Sequence, residues 1–305
     1  VPPGPAGDTL TDPYERILFE ADGIEIGSFR CRRTDPGFCS AGPIRDHCVF
    51  AFPRTAVWIG QQGRRRFASD TGIVTFYNPR QAYSRAPLDS IGDFCEWYAV
   101  PPDVAAAIAR DLDPAVEGRW ERPFRFSHAP VDARAYLAQR QLFESLDSGG
   151  WTDILAVEER VIALLGRVLS LAYRACHDES APPARERVSR QQELAEHVRV
   201  VLAAHVGAPL TLRDLARAVG CSPHYLCRAF RKATGSTIHG YREQLRLRAA
   251  LAALAEGEDL TELSLDLGYS SHSHFTANFR KAFGAPPSLV RSRLTALAPR
   301  LRART

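Results

Sequence analysis

A short pattern occurs twice in the last third of this chain. Leu215-Ala216-Arg217-Ala218-Val219-Gly220 is followed, ten residues after the glycine, by Phe230 and then Arg231-Lys232-Ala233-Thr234-Gly235. Leu263-Ser264-Leu265-Asp266-Leu267-Gly268 is followed, eleven residues after its glycine, by Phe279 and then Arg280-Lys281-Ala282-Phe283-Gly284. So many registered matches, with one residue of length difference, mark an internal duplication. Whatever this segment folds into, it must do so twice.

Each copy carries the local signals of two helices joined at a glycine. The first helix (Leu212 to Val219, Leu260 to Leu267) ends at a residue free to adopt the left-handed conformation. Ser222-Pro223 and Ser270-Ser271 then supply the cap of a second helix, with proline at its first position in the first copy. Leu226 with Phe230, and Phe275 with Phe279, sit at i and i+4 on one face, leaving His, Ser, Thr and Arg on the other. Helix, short glycine turn, helix is the helix-turn-helix, whose second helix enters the major groove of DNA. The copies are expected over about 211–235 and 260–284. Thr237 to Ala255 reads as one long helix between them, and Val188 to Val206 as a helix preceding the first copy. One turn of B-DNA is about 34 Å, so a rigid connecting helix can present two readers to successive grooves.

Charge agrees. Of the 305 residues, those from 185 onward hold nineteen Arg/Lys against ten Asp/Glu, while residues 1–184 hold twenty against twenty-five, a split concealed by the net charge of +4. A basic segment joined to an acidic one points to a polyanionic partner. Arg231, Lys232, Arg280 and Lys281, near the ends of the second helices, are candidate phosphate contacts; cations there also offset the helix dipole.

The first 184 residues read differently. Residues 1–16 are Pro/Gly-rich and polar and are expected to be flexible; they contain no apolar core of a signal peptide. Short alternating or apolar runs follow at 17–19, 24–29, 48–52, 56–59, 72–77 and 94–100, separated by Asp22-Gly23, Gln62-Gly63 and Asn78-Pro79, which favours a small barrel or sandwich. Helical periodicity then takes over at 102–110, 131–146 and 151–175. Residues 177–187 (HDESAPPARER) have the composition of a linker. The fold class expected is α+β, with a strand domain and two-helix hairpin over 17–176, an all-α domain over 188–294, and a basic tail at 295–305. No run is apolar enough to cross a membrane, because charges interrupt Ile154 to Tyr173. A cytoplasmic location is expected.

From Gln191 to Arg293 the sequence resembles the AraC/XylS family of bacterial transcription regulators. The run Gly268-Tyr269, His274-Phe275 and Phe279-Arg280-Lys281-Ala282-Phe283-Gly284-Ala285-Pro286-Pro287-Ser288 is very similar to the family's second-motif signature. The resemblance implies that His224, Cys227 and Arg228 of the first copy, and His272, Ser273, Thr276 and Ala277 of the second, face the bases. Arg228 can donate two hydrogen bonds to a guanine; Ala277 can touch only a thymine methyl. The resemblance further implies promoter duplex DNA as partner, a homodimer, RNA polymerase as a partner of an activator, and a cupin-like N-terminal domain that senses a signal.

Two sensing chemistries are open. Cys31, Cys39, Cys48 and Cys95 offer four thiols for zinc or a redox switch, although no CxxC pair occurs and buried free cysteine is common in strands. Alternatively Trp58, Phe76, Tyr77, Tyr83 and Trp97 line a pocket for a small organic effector. Two enzymatic alternatives are weaker. A methyl-accepting DNA-repair regulator needs closely paired cysteines, and a cupin enzyme needs a clustered His/Glu set where residues 1–150 hold only His47 and His128.

Overall fold

The computed structural model describes residues 13–36, 38, 43–88, 91–149, 153–176, 190–256 and 258–296; the expected linker and Cys39 lie outside them. Strand β1 (Glu15–Ala21) begins inside the stretch expected to be flexible, its Glu15 paired with Phe29, and turns at Asp22-Gly23 into β2 (Ile24–Arg32). There follow β3 (Cys48–Pro53), β4 (Val57–Gln61), β5 (Phe67–Ser69), β6 (Ile73–Tyr77), β7 (Tyr83–Pro87) and β8 (Gly92–Val100). Helix α1 (Pro102–Arg110) and a 3₁₀ turn (Pro114–Arg119) lead to β9 (His128–Pro130). The strands form two antiparallel sheets, ordered β1-β2-β8-β3-β6-β9 and β5-β4-β7.

Alternation sorts the side chains of the larger sheet onto two faces. One carries Phe29, Cys31, Ala51, Ile73, Tyr77, Trp97 and Ala99 against Val57, Ile59 and Phe67 of the smaller sheet. The other carries Ile26, Cys48, Phe50, Phe76, Tyr98 and Val100, and is covered by α1, α2 (Ala133–Asp147) and α3 (Ile154–Cys176). On that covered face Glu96 of β8 receives Arg140 and Gln139 of α2, with Arg54 Nε 3.7 Å away.

His128 is half-buried, its ring stacked on Phe67 at 4.1 Å between centroids. Burial, with the Arg199 and Arg64 cations beside it, pushes its pKa down to about 3 from an ordinary 6.5. The unfolded chain therefore takes up a proton that the folded chain refuses, and stability falls as pH drops below the unfolded value. One such group costs about 1.4 kcal/mol per pH unit, or about 2 kcal/mol between pH 7 and pH 5. His128→Phe keeps the stack and removes the proton. Urea melts at the two pH values are expected to show the wild type losing about 2 kcal/mol more than the variant.

The remainder is helical: α4 (Arg190–Ala204), α5 (Leu212–Ala218), α6 (Pro223–Thr234), α7 (Ile238–Glu256), α8 (Leu260–Asp266), α9 (His272–Phe283) and α10 (Pro287–Ala296). The two copies of the repeat are α5-α6 and α8-α9, with α7 between them. Leu202, Leu215, Leu226, Phe230, Tyr241 and Leu245 form the core of the first copy. Leu251, Leu254, Leu263, Phe275, Phe279 and Phe283 join a core that continues into α2 and α3. The second copy thus shares its interior with the N-terminal half; the first has its own.

Candidate nucleic-acid interface

The second helices of the two copies are built alike. α6 and α9 are each twelve residues long; each starts at a serine whose hydroxyl accepts a backbone N–H, and each ends at a left-handed glycine, Gly235 or Gly284. Counted from the capping serines, His224 stands where Ser273 does, Cys227 with Thr276, Arg228 with Ala277, Phe230 with Phe279, and Arg231-Lys232 with Arg280-Lys281. The extra residue of the second copy is confined to the turn, where Tyr269-Ser270 replaces Cys221. Gly220 and Gly268 close the preceding helices at φ of 64° and 76°.

On each helix one face is sealed and the other bare. Leu226, Ala229 and Phe230, and Phe275, Phe279 and Phe283, are buried. His224, Cys227, Arg228, His272, Ser273 and Ala277 are exposed and Thr276 is half-buried. His272, Ser273, Thr276, Ala277, Arg280 and Lys281 line one open surface groove. Within it His272 Nδ1 lies 3.4 Å from the Leu260 carbonyl and Nε2 lies 3.3 Å from the Thr276 hydroxyl. A carbonyl only accepts, so the neutral ring carries its proton on Nδ1, and Thr276 donates to Nε2. Arg231, Lys232, Arg280 and Lys281 are all exposed in the last turn of their helices.

A clasp sets the angle between the copies, and it was not foreseen from the sequence. Arg242 of α7 donates to the carbonyls of Ala208 and Leu210 (3.2 Å for the latter), and Arg246, one turn on, donates to that of Val206 at 3.1 Å. Tyr269 donates to Glu243 at 2.8 Å. The loop held in this way reaches the turn of the second copy at Gly207, where a Cβ would lie 2.1 Å from the Asp266 carbonyl oxygen. The only trace in the sequence is a pair of arginines at i and i+4, indistinguishable from solvated charge.

Residues 215–293 match a family described as a helix-turn-helix domain. Regulatory protein SoxS of Escherichia coli (strain K12) is 37% identical over 91 residues, 30% of this chain and 85% of SoxS. The chain belongs to the AraC/XylS family. It is a DNA-binding transcription regulator of the AraC type. Regulatory protein Ada of Salmonella typhimurium is 30% identical over 125 residues, covering 41% of this AraC/XylS chain and 35% of Ada. The crystal structure of ToxT from Vibrio cholerae aligns over 90% of this chain and 99% of its own, at 10% identity and a TM-score of 0.34.

In the N-terminal half of this AraC/XylS protein the expected pocket residues divide. Tyr77, Tyr83 and Trp97 gather between the two sheets, with Tyr77 and Tyr83 rings 5.2 Å apart. Phe76, the neighbour of Tyr77, points to the opposite face against Phe124 and Phe126. Trp58 alternates with the inward Val57 and Ile59, and lies half-buried beneath the Arg66 guanidinium at 4.6 Å. Two charged residues that sequence reasoning missed share the interior: Arg85, 4.1 Å over the Phe29 ring, pairs with Asp93 at 3.3 Å.

The thiols divide in the same way. Cys31 and Cys95 face the space between the sheets, whereas Cys48, opposite Val100 on β8, faces the helices. Burial pushes Cys48 up to about 12 and Cys95 well above the ordinary thiol range. Zinc ligation needs converging thiolates, so the expectation of one site built from all four cysteines is corrected for Cys48: β-strand alternation puts it on the opposite face from Cys31 and Cys95, and Cys39 lies outside the described residues. Among the described residues no group of three or more His, Cys, Asp or Glu side chains converges to hold a metal. No helix among them is long and apolar enough to cross a membrane.

Proposed function

We propose that both copies of the repeat read DNA, with His224, Cys227 and Arg228 of α6 and His272, Ser273 and Thr276 of α9 facing bases and Arg231, Lys232, Arg280 and Lys281 facing phosphates. The observation that carries this reading is the pairing of two equal helices that each bury an apolar face and leave a bare polar one tipped with cations. The division of labour is unequal. Arg228 is the single bidentate donor among the base-facing positions, so α6 specifies more and α9 positions more.

Fluorescence anisotropy on selected duplexes tests it. Arg228→Ala is expected to cost about 1–3 kcal/mol on the preferred site and to relax preference at one base pair. Lys281→Ala is expected to weaken all sequences alike and to reduce the slope of log affinity against log salt by about 0.9. Equal losses on every duplex from Arg228→Ala would remove its base-reading role.

The same reading makes residues 17–176 a cupin-like domain that senses a signal and dimerises, and residues 188–294 the DNA-binding domain. Supporting it are the two facing sheets, and an interior that combines the aromatic rings of Tyr77, Tyr83 and Trp97 with the Arg85–Asp93 pair. An organic effector suits that lining better than a metal. Effector binding regulates only through differential affinity for two arrangements of the protein. In an activator, RNA polymerase is the further partner.

A further inference from the structure

The N-terminal half grips the helix that carries both readers. A strap over residues 68–72, which starts in β5, holds it at one end of α7. Arg199 of α4 donates through Nη2 to the Ala68 carbonyl and to Asp70, both at 3.0 Å, and through Nε to the Tyr241 hydroxyl at 2.9 Å. Tyr241 of α7 donates to Asp70 at 2.7 Å, and Glu196, bonded to Arg199 at 2.8 Å, accepts the Ala68 N–H at 2.9 Å. Asp70, Arg199 and Tyr241 are all buried, and each charge has its counter-charge. Gly72 makes room for this network: a Cβ there would lie 2.4 Å from the Tyr241 hydroxyl oxygen.

Seven residues along α7, on the same face, stands Arg248. It is 2% exposed, the largest side chain so deeply buried in the protein's described part. Nη2 donates to the Val131 carbonyl and the guanidinium lies 5.3 Å over the Tyr136 ring, yet Nη1 has no hydrogen-bond partner. No ion pair is formed with a described carboxylate. Docking therefore strips a guanidinium of its water and returns one carbonyl, one ring face and the field of the more distant Asp70 and Asp132 carboxylates, which burial outweighs.

We propose that the seam between α7 and the N-terminal half is a two-state joint, held shut by the Asp70–Arg199–Tyr241 network and biased toward opening by Arg248, which is buried without an ion pair among the described residues. Apolar contact of α2 with α7, α9 and α10 supplies the non-directional part of closure, and the polar groups decide how close to balance the joint sits. Because the grip is on α4 and α7, closing it orients both readers without covering their bare faces. Anything that moves the 68–72 strap or the Val131–Tyr136 segment shifts the joint. This goes beyond the regulator reading and is measurable without DNA.

The test uses the full chain and three variants. The Ala68 amide, bonded to Glu196 across the seam, is the reporter for hydrogen exchange, with amides of β2 and β8 as the control for intact folding. Arg248→Met replaces the stranded cation with an apolar side chain of similar length and is expected to slow Ala68 exchange about tenfold. Asp70→Asn and Gly72→Ala are expected to speed it by about tenfold or more, with an enlarged radius of gyration and unchanged β2–β8 protection. Arg248→Met and Gly72→Ala are then expected to move DNA affinity in opposite directions. Acceleration by Arg248→Met would make Arg248 an ordinary structural tie and overturn the proposal, as would Ala68 exchange indifferent to all three changes. Failure of the unaltered protein to bind any duplex would overturn the regulator reading instead, and the exchange result would still decide the joint.

Discussion

Phe279→Ala is expected to cost about 3–5 kcal/mol of folding stability. The ring is fully buried, 5.7 Å from Phe275 and 4.5 Å from Phe283, so truncation leaves a cavity walled by rigid aromatics with little freedom to collapse. Its counterpart Phe230 is equally buried, 5.7 Å from Tyr241, and its truncation is expected to cost a similar amount. The two differ in reach. The Phe279 core continues into α2 and α3, whereas the Phe230 core is confined to α4–α7. All four tryptophans, at 58, 97, 120 and 151, belong to the N-terminal half. Tryptophan fluorescence during urea unfolding should therefore shift its midpoint with Phe279→Ala and shift much less with Phe230→Ala, while far-UV circular dichroism shifts in both. Equal tryptophan shifts would contradict the separate core of the first copy.

Glu96→Leu is expected to be comparably severe, at about 3–5 kcal/mol, because it leaves two guanidiniums facing a buried site without their carboxylate. Arg140 would retain Glu144 alone, and Arg54 would retain only the Tyr136 hydroxyl at 3.3 Å. The companion change reverses the loss: Glu96→Leu with Arg140→Met removes both buried charges and is expected to recover most of the stability, since apolar replacement of a buried pair is often neutral or favourable. Chemical denaturation of the single and double variants measures both. The pH dependence has a fixed sign. Burial pushes the Glu96 carboxyl up, and Arg140, Arg54 and Gln139 outweigh it, so Glu96 titrates below its usual value of 4.5. Its contribution is complete above that value and is lost as pH falls through the lowered one.

What could be read directly from residues is local in origin. The repeat, its caps at Ser222 and Ser271, the glycine closures and the long α7 all follow from signals within a few residues of one another, and the structure places α5 to α9 within one or two residues of the expected bounds. Of the nine strands among the described residues, six were legible for the same reason. β5 and β9 were missed because three residues leave no period to detect, and β7 because its inward position is Arg85, a residue whose burial depends on Asp93 from another strand. The proposed pocket residues Trp58 and Phe76 fell away once pairing fixed which face each strand position occupies.

The sequence by itself determined that two copies of one helical unit exist, which side chains each leaves bare, and which half of the chain carries the positive charge. Capping, turn formation and helical periodicity act over a few bonds and need no distant partner. Only the tertiary structure decided how those units are held: Asp70 meets Arg199 and Tyr241, Glu96 meets Arg140, and Arg248 forms no ion pair among the described residues. Partners more than forty residues apart find each other through packing of whole elements, and the worth of each charge is set by the burial that packing creates.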